Sequence, residues 1–164
     1  MAVRKIRKIG DPILREKSIE IKTIDKNILN LAKDMIDTIT RGEEEGVGLA
    51  APQIGVAKRL IVVNFEDSIK TLINPEIEVL DGTEIEGEEG CLSLYSIKCN
   101  IKRPRKVRVK AIDLEGQSVD IEASDILARI FMHEVDHLNG VLLIDHLDKK
   151  ARIELLNKIN EISS

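Results

Sequence analysis

The chain has 164 residues, enough for one domain spanning 1–164 with a real hydrophobic core. Hydrophobic residues make up 43% and charged residues 33%, which argues against a disordered chain, and no apolar run approaches the ~20 residues of a membrane-spanning helix. A net charge of −4 speaks against DNA as a partner.

In chain order, residues 1–22 read as irregular, with a turn at Gly10-Asp11-Pro12. The opening Met1-Ala2-Val3-Arg4-Lys5-Ile6 is basic but lacks the apolar run of an export signal. A cytoplasmic location with Cys91 and Cys99 reduced is therefore expected. Residues 24–41 place Ile24, Ile28, Leu31, Ala32, Met35, Ile36 and Ile39 on one helical stripe. Thr23 or Asp25 would cap this helix and Gly42 would stop it. Gly46-Val47-Gly48-Leu49-Ala50-Ala51-Pro52-Gln53-Ile54-Gly55 is a small-residue loop that fits the loose G-x-G-x-x-A form of a dinucleotide fingerprint. That reading fails, because the loop follows a helix and Pro52-Gln53 does not open one. On its own residues the loop is either a connector or a ligand loop.

Residues 59–65 form the continuous β-branched run of a buried strand. Asn74-Pro75 signals a turn between short strands, and Asp81-Gly82 a hairpin between strands marked by Ile77, Val79 and Ile85. Acidic residues 84–90 then lead into Cys91-Leu92-Ser93-Leu94. The basic stretch 98–110 can be read as a face for RNA or an acidic peptide, but Lys106-Val107-Arg108-Val109-Lys110 alternates as a strand with one solvated side does. A turn at 114–117 and a short strand at 119–121 follow. Ser124 should cap a helix given a broad apolar surface by Ile126, Leu127, Ile130, Phe131 and Leu138, and Gly140 should end it. Residues 145–164 read as a last helix with Leu147, Ala151, Leu155, Ile159 and Ile162 as its stripe. The sum is an α+β fold: short, mostly antiparallel strands around a central helix, with one helix before and one after.

The central helix carries His133-Glu134-Val135-Asp136-His137, an H-E-x-x-H pattern. Residues four apart share a helix face, so the two imidazoles can bind one metal ion. Glu134 is offset by one residue, where it can act on water as a general base without being a ligand. Two histidines do not make a catalytic site, which needs a third protein ligand. A third histidine in the metzincin register would fall at 143, which is Leu143, and no methionine turn is available. A downstream glutamate, Glu154 or Glu161, would give a thermolysin-like metallopeptidase; both also suit surface charge pairs. Cys91 would give a thiolate with two imidazoles, a sound set for zinc or ferrous iron, although an ordinary buried cysteine is the alternative. Cys99 carries no such signal.

Three segments together resemble the peptide deformylase family: Gly46-Val47-Gly48-Leu49-Ala50-Ala51-Pro52-Gln53, Glu89-Gly90-Cys91-Leu92-Ser93, and His133-Glu134-Val135-Asp136-His137-Leu138-Asn139-Gly140. Gly10-Asp11-Pro12-Ile13-Leu14 is similar as well, and the likeness runs in family order over most of the chain. Three positions depart from the common pattern: Met132 where Gln is usual, Tyr95 where Pro is usual, and Lys98 where bacterial members often carry an arginine. Lys98 keeps the charge and loses the planar fork.

The resemblance implies hydrolysis of the formyl group from the N-terminal formyl-methionine of newly made proteins. It implies Cys91, His133 and His137 as ligands of one divalent ion, Fe²⁺ natively, with Zn²⁺, Ni²⁺ or Co²⁺ able to replace it. Glu134 would be the base, and the Gln53 amide and Leu92 backbone N–H would face the oxyanion. Gly46, Val47, Gly48, Lys98 and Ile130 would contact the substrate, with Phe131 a further candidate wall or neighbour of the methionine pocket. Glu89 and Arg103 would pair behind the ligands and brace them. The partners would be formyl-Met nascent chains and, through the last helix, the ribosome surface near the exit tunnel.

Overall fold

The fold is described from a computed structural model and covers residues 2–44 and 46–164; Met1 of the basic opening lies outside the described residues. Among the described residues five strands form one antiparallel sheet in sequence order: β1 (Gly48–Ala50), β2 (Leu60–Phe65), β3 (Ser68–Glu89), β4 (Cys99–Ile112) and β5 (Ser118–Ser124). Among the described residues three α-helices accompany it: α1 (Lys26–Arg41), α2 (Asp125–Leu138) and α3 (Lys149–Ser163). None of them is long and apolar enough to cross a membrane.

The strands are not all short. Asn74-Pro75 and Asp81-Gly82 were expected as turns, yet β3 runs through both for 22 residues. At the first, Asn74 takes φ 53° and the register with β4 slips between Ile73 and Glu76. At the second, the register slips again between Val79 and Asp81 and between Asp81 and Glu84. Bulges absorb the turn-forming residues because β4 offers one continuous partner, and a bulge also tolerates the missing N–H of Pro75.

The continuous apolar run of β2 has a plain cause: both faces are covered. Leu60 and Val62 pack with α1, while Ile61 and Val63 pack with α2. α1 presents Ile28, Leu31, Ala32, Met35 and Ile39, as its stripe predicts, and Asp25 is the cap, its carboxylate accepting from the Ile28 N–H at 3.0 Å. Such a cap stabilises a helix by about 1 kcal/mol. On the other face, Ala128, Phe131, Met132, Val135 and Leu138 of α2 pack on Val107, Val109 and Ala111 of β4 and Ala123 of β5.

Ser124 holds the cap position of α2, but its hydroxyl makes no capping bond. It is the last paired residue of β5, opposite Lys106, and Asp125 at φ 56° turns the strand directly into the helix. α2 ends at Gly140, whose φ of 73° favours glycine, and a Cβ there would lie 2.6 Å from the Arg15 carbonyl oxygen. The last helix starts later than expected. A 3-10 turn covers Leu143–His146, and α3 begins at Lys149, capped by Asp148. Of its expected stripe only Leu155 and Ile159 are buried, and Ile162 is exposed.

Candidate metal centre

The fold brings α2 beside the turn that follows β3. Cys91, His133 and His137 are all buried, and their ligand atoms lie within 4.8 Å of one another. The 3-10 turn Leu92–Leu94 aims the cysteine, and Leu94, Ile101, Leu142 and Leu143 pack around it. His137 Nε2 is 3.4 Å from the Cys91 sulfur. His133 turns its Nδ1 to Glu89 Oε1 at 2.9 Å, which leaves Nε2 for the sulfur side. Three soft donors converging from two elements can hold a divalent ion. Glu154 and Glu161 are exposed on α3 and outside this cluster, so the metallopeptidase alternative finds no third ligand there.

The electrostatics suit a thiolate. Burial opposes ionisation of Cys91, but His137 and His133 outweigh it and hold the thiol well below its ordinary range. Burial likewise pushes His133 down, and Glu134, Cys91 and Glu89 hold it well above its usual value. Cys99 behaves differently: burial and the nearby Glu89 push it up to about 11, so it stays a thiol.

Glu134 is 4% exposed, and its Oε1 is buried with no hydrogen-bond partner among the described residues. Burial raises its carboxyl above the ordinary range against the pull of His133 and His137. Gly48 of β1 faces it closely, and a Cβ at that glycine would fall 2.5 Å from Glu134 Oε2. The small-residue loop therefore brings backbone up to the acid, and it does open a helical turn, a 3-10 turn at Ala51–Ile54. Gln53 in that turn accepts from the Ala50 N–H at 3.0 Å and directs Nε2 to Ser93 Oγ at 3.1 Å and to the Cys91 sulfur at 3.6 Å. The N-terminal segment fastens both turns: Arg7 N–H donates to the Gln53 carbonyl at 2.7 Å and Ile9 N–H to the Ser93 carbonyl at 2.9 Å.

A cleft of about 910 Å³ opens over these groups, and Gly46, Val47, Gly48, Gln53, Leu92, Lys98, Ile130, His133 and Glu134 line it. Val47 stands at the rim, 56% exposed, while Ile130 is buried in the wall. Phe131 is not in the wall; it is fully buried between α2 and the sheet. Lys98 is exposed and lies along Gly90, where a Cβ would meet its Cδ at 2.9 Å. Tyr95 sits at φ 57°, a conformation closed to proline. Lys8 completes the turn, its Nζ donating to the Leu92 carbonyl at 2.7 Å and lying 4.9 Å from the Tyr95 ring centre.

Behind the histidines is a buried charge network. Arg103 forks onto Glu89 with contacts of 2.7 and 3.0 Å, and Arg129 adds a third at 2.7 Å. Burial raises the Glu89 carboxyl, but His133 and Arg103 outweigh it and bring it to about 2. Arg103 also reaches Asp136 at 3.0 Å, and His146 meets the same carboxylate oxygen at 2.9 Å. Sequence reasoning missed Ser93, Arg129, Asp136 and His146. Only Asp136 carried a local signal, as the polar residue inside H-E-x-x-H.

The polypeptide deformylase family model matches residues 3–152. Peptide deformylase from Thermoanaerobacter pseudethanolicus is 48% identical over 162 residues, 99% of this chain and 100% of that protein. The Clostridium botulinum peptide deformylase is 47% identical over 150 residues, 92% of this chain and 100% of that one. Among solved structures, a peptide deformylase from Legionella pneumophila superposes with a TM-score of 0.92 at 38% identity, covering 99% of this chain and 96% of that one. One from Synechococcus elongatus, in complex with actinonin, gives 0.88 at 36% identity, covering 94% and 85%. With likeness of sequence and fold running through nearly the whole chain, the protein belongs to the polypeptide deformylase family of enzymes.

Proposed function

We propose that this chain hydrolyses the formyl group from the N-terminal formyl-methionine of newly made proteins, releasing formate and a free amine. One observation carries the reading: three buried donors, Cys91, His133 and His137, lie within 4.8 Å of one another, and Cys91 and His133 line one cleft with the buried carboxylate of Glu134. The donor set fits Fe²⁺ as the native ion and also Zn²⁺, Ni²⁺ or Co²⁺. A bound ion would supply Lewis acidity toward the formyl oxygen and make water easier to deprotonate.

The chain's own groups supply the rest. Glu134 takes a proton as water oxygen adds to the formyl carbon, then gives it to the amine nitrogen as the C–N bond breaks. The developing oxyanion is faced by the Leu92 backbone N–H and by the Gln53 amide proton directed toward Cys91. Glu89 and Arg103 hold the His133 ring in one orientation through Nδ1. Gly46 and Gly48 let an extended peptide backbone approach along β1, an added-strand mode of binding. Ile130 and Val47 offer apolar surface for the methionine side chain, and Lys98 offers a cation at the rim. The same tight approach at Gly48 should crowd an acetyl methyl. The site of action would be the cytoplasm, with the exposed side of α3 toward the ribosome near the exit tunnel.

The test is to incubate the purified protein, with its metal content measured, with formyl-Met-Ala-Ser and acetyl-Met-Ala-Ser. Formate is expected from the first peptide and little acetate from the second. No formate from metal-loaded protein overturns the activity, and equal rates on the two peptides overturn the tight-site argument.

A further inference from the structure

We infer that His146 is a positioning residue for the metal centre, acting on His133 through Asp136, Arg103 and Glu89. His146 lies on the 3-10 turn between α2 and α3, outside the cleft, with its side chain 31% exposed. Its Nε2 meets Asp136 Oδ2 at 2.9 Å. That oxygen also accepts from Arg103 Nη1 at 3.0 Å. The other edge of the same guanidinium forks onto Glu89, whose Oε1 holds His133 Nδ1 at 2.9 Å. His146 is thus the solvent-side end of an unbroken line of polar contacts to one proposed ligand.

The geometry gives His146 something specific to do. Arg103 is planar, so rotating it to follow Asp136 would spoil its fork on Glu89. Asp136 lies on α2 between the two histidines and is only partly covered, with 26% of its side chain exposed. Without a second donor its carboxylate is freer to turn to water. Two donors on one oxygen fix it, and with it the Arg103 plane, the Glu89 carboxylate and the His133 ring. Three further groups touch this line or flank it. Arg129 holds Glu89 directly, while Arg15 and Asp145 pair with each other beside the His146 turn at 2.6 Å. Among the described residues, the side chains that meet the Asp136 carboxylate are His146 and Arg103.

The inference rests on the proposed function for the metal site, but its first readout needs no turnover. Cobalt(II) is loaded into wild type, His146→Gln and His146→Phe, and its loss to a chelator is followed by the thiolate-to-cobalt absorption. His146→Phe should weaken retention about 3–10-fold, less than the roughly 10–100-fold typical of a partner that touches a ligand. His146→Gln, which keeps a donor, should recover to within about twofold of wild type. For formyl-Met-Ala-Ser, kcat should fall with cobalt retention while KM stays unchanged, because His146 is outside the cleft. On an Arg103→Lys background the same change should do nothing further, since the line is already cut. Should His146→Phe not fold, His146→Ala carries the same expectation without added bulk.

Unaltered cobalt retention in the Phe or Ala variant, a Gln variant no better than Phe, or equal effects with and without Arg103→Lys each overturn the inference. If the cobalt results hold and wild type releases no formate, the deformylation reading falls and the positioning role stands. A wild type that holds no cobalt overturns the metal reading and this inference with it.

Discussion

Two of the three arginines of strand β4, five residues apart, lead opposite lives. Arg103 is 5% exposed in its side chain and forks onto Glu89, equally buried. Arg108 reaches Glu122 at 2.6 Å on the outer face, where that glutamate side chain is 49% exposed. Both contacts are short, yet burial separates them. An exposed pair exchanges water for a partner at little net gain and is screened by salt. A buried pair has lost its water already, so removing one partner strands a charge. The outer face also answers the question of the basic stretch. Glu76, Glu78 and Asp81 of β3 stand opposite Lys110, Arg108 and Lys106, and Glu122 of β5 pairs with both Lys106 and Arg108, so these three cations of the stretch lie on a neutralised strand face.

The contrast predicts that polar groups at the buried end fail hard and those on the surface fail softly. The largest effect is expected for Cys91→Ala, which should lose tightly bound metal and formate release together. Glu154→Ala on exposed α3 should change neither, as metal analysis and a formate assay will register. Metal held tightly by the alanine variant would show that Cys91 is no ligand.

Glu134→Gln probes the buried carboxylate whose Oε1 has no hydrogen-bond partner among the described residues. It should keep the metal and lower turnover by about 10²–10⁴-fold, the usual share of general acid–base catalysis. Near-normal rates in metal-loaded mutant protein would remove its role as base.

Arg103→Ala should cost about 3–5 kcal/mol in urea unfolding, because the buried Glu89 carboxylate loses its forked partner and keeps only Arg129 and His133. Glu89 also sets a pH dependence in the metal-free chain, through its hydrogen bond with His133 first and with Arg103 second. The Glu89 carboxyl is held at about 2, below its ordinary 4.5. A depressed carboxyl stabilises the fold fully above the unfolded value and loses that contribution as pH falls toward the folded one. Stability should therefore decline between about 4.5 and about 2, and Arg103→Ala should flatten that decline. A mutant curve parallel to wild type would break the assignment.

Smallest of all is Glu122→Gln. Its carboxyl is held below its ordinary value chiefly by the side-chain hydrogen bond from Lys106, but it lies on the solvent face of the sheet, so no resolvable change in the urea midpoint is expected. A clear loss there would show that the outer ladder matters more than exposure allows.

Some of this was legible early. α1 could be read because its stripe has the helical period and is buried where the period says. The H-E-x-x-H pair and Cys91 could be read because ligand chemistry restricts which residue types can serve. The continuity of β3 could not be read, since turn residues look alike in a turn and in a bulge; only the partner strand distinguishes them. Arg103 did carry a signal. It occupies the inward parity of β4 with Ile101, Val107, Val109 and Ala111, where a charge needs a buried partner. Its pairing with Glu89 followed from the family resemblance, while the contact with Asp136 from α2 depended on packing.

By itself, then, the sequence determined what depends on local order: the period of α1, the two faces of β2, the spacing of His133 and His137, and the glycine needed at 140. Tertiary structure decided what depends on distant segments meeting. It bent β3 through two expected turns, left Ile162 in solvent, moved Phe131 from the cleft wall into the core, and ran a line of contacts from His146 to His133. The physical reason is range. Backbone torsions and side-chain periodicity act over a few residues, whereas burial and charge pairing are set by whichever segments share a volume, here residues as far apart as Gln53, Cys91 and His133.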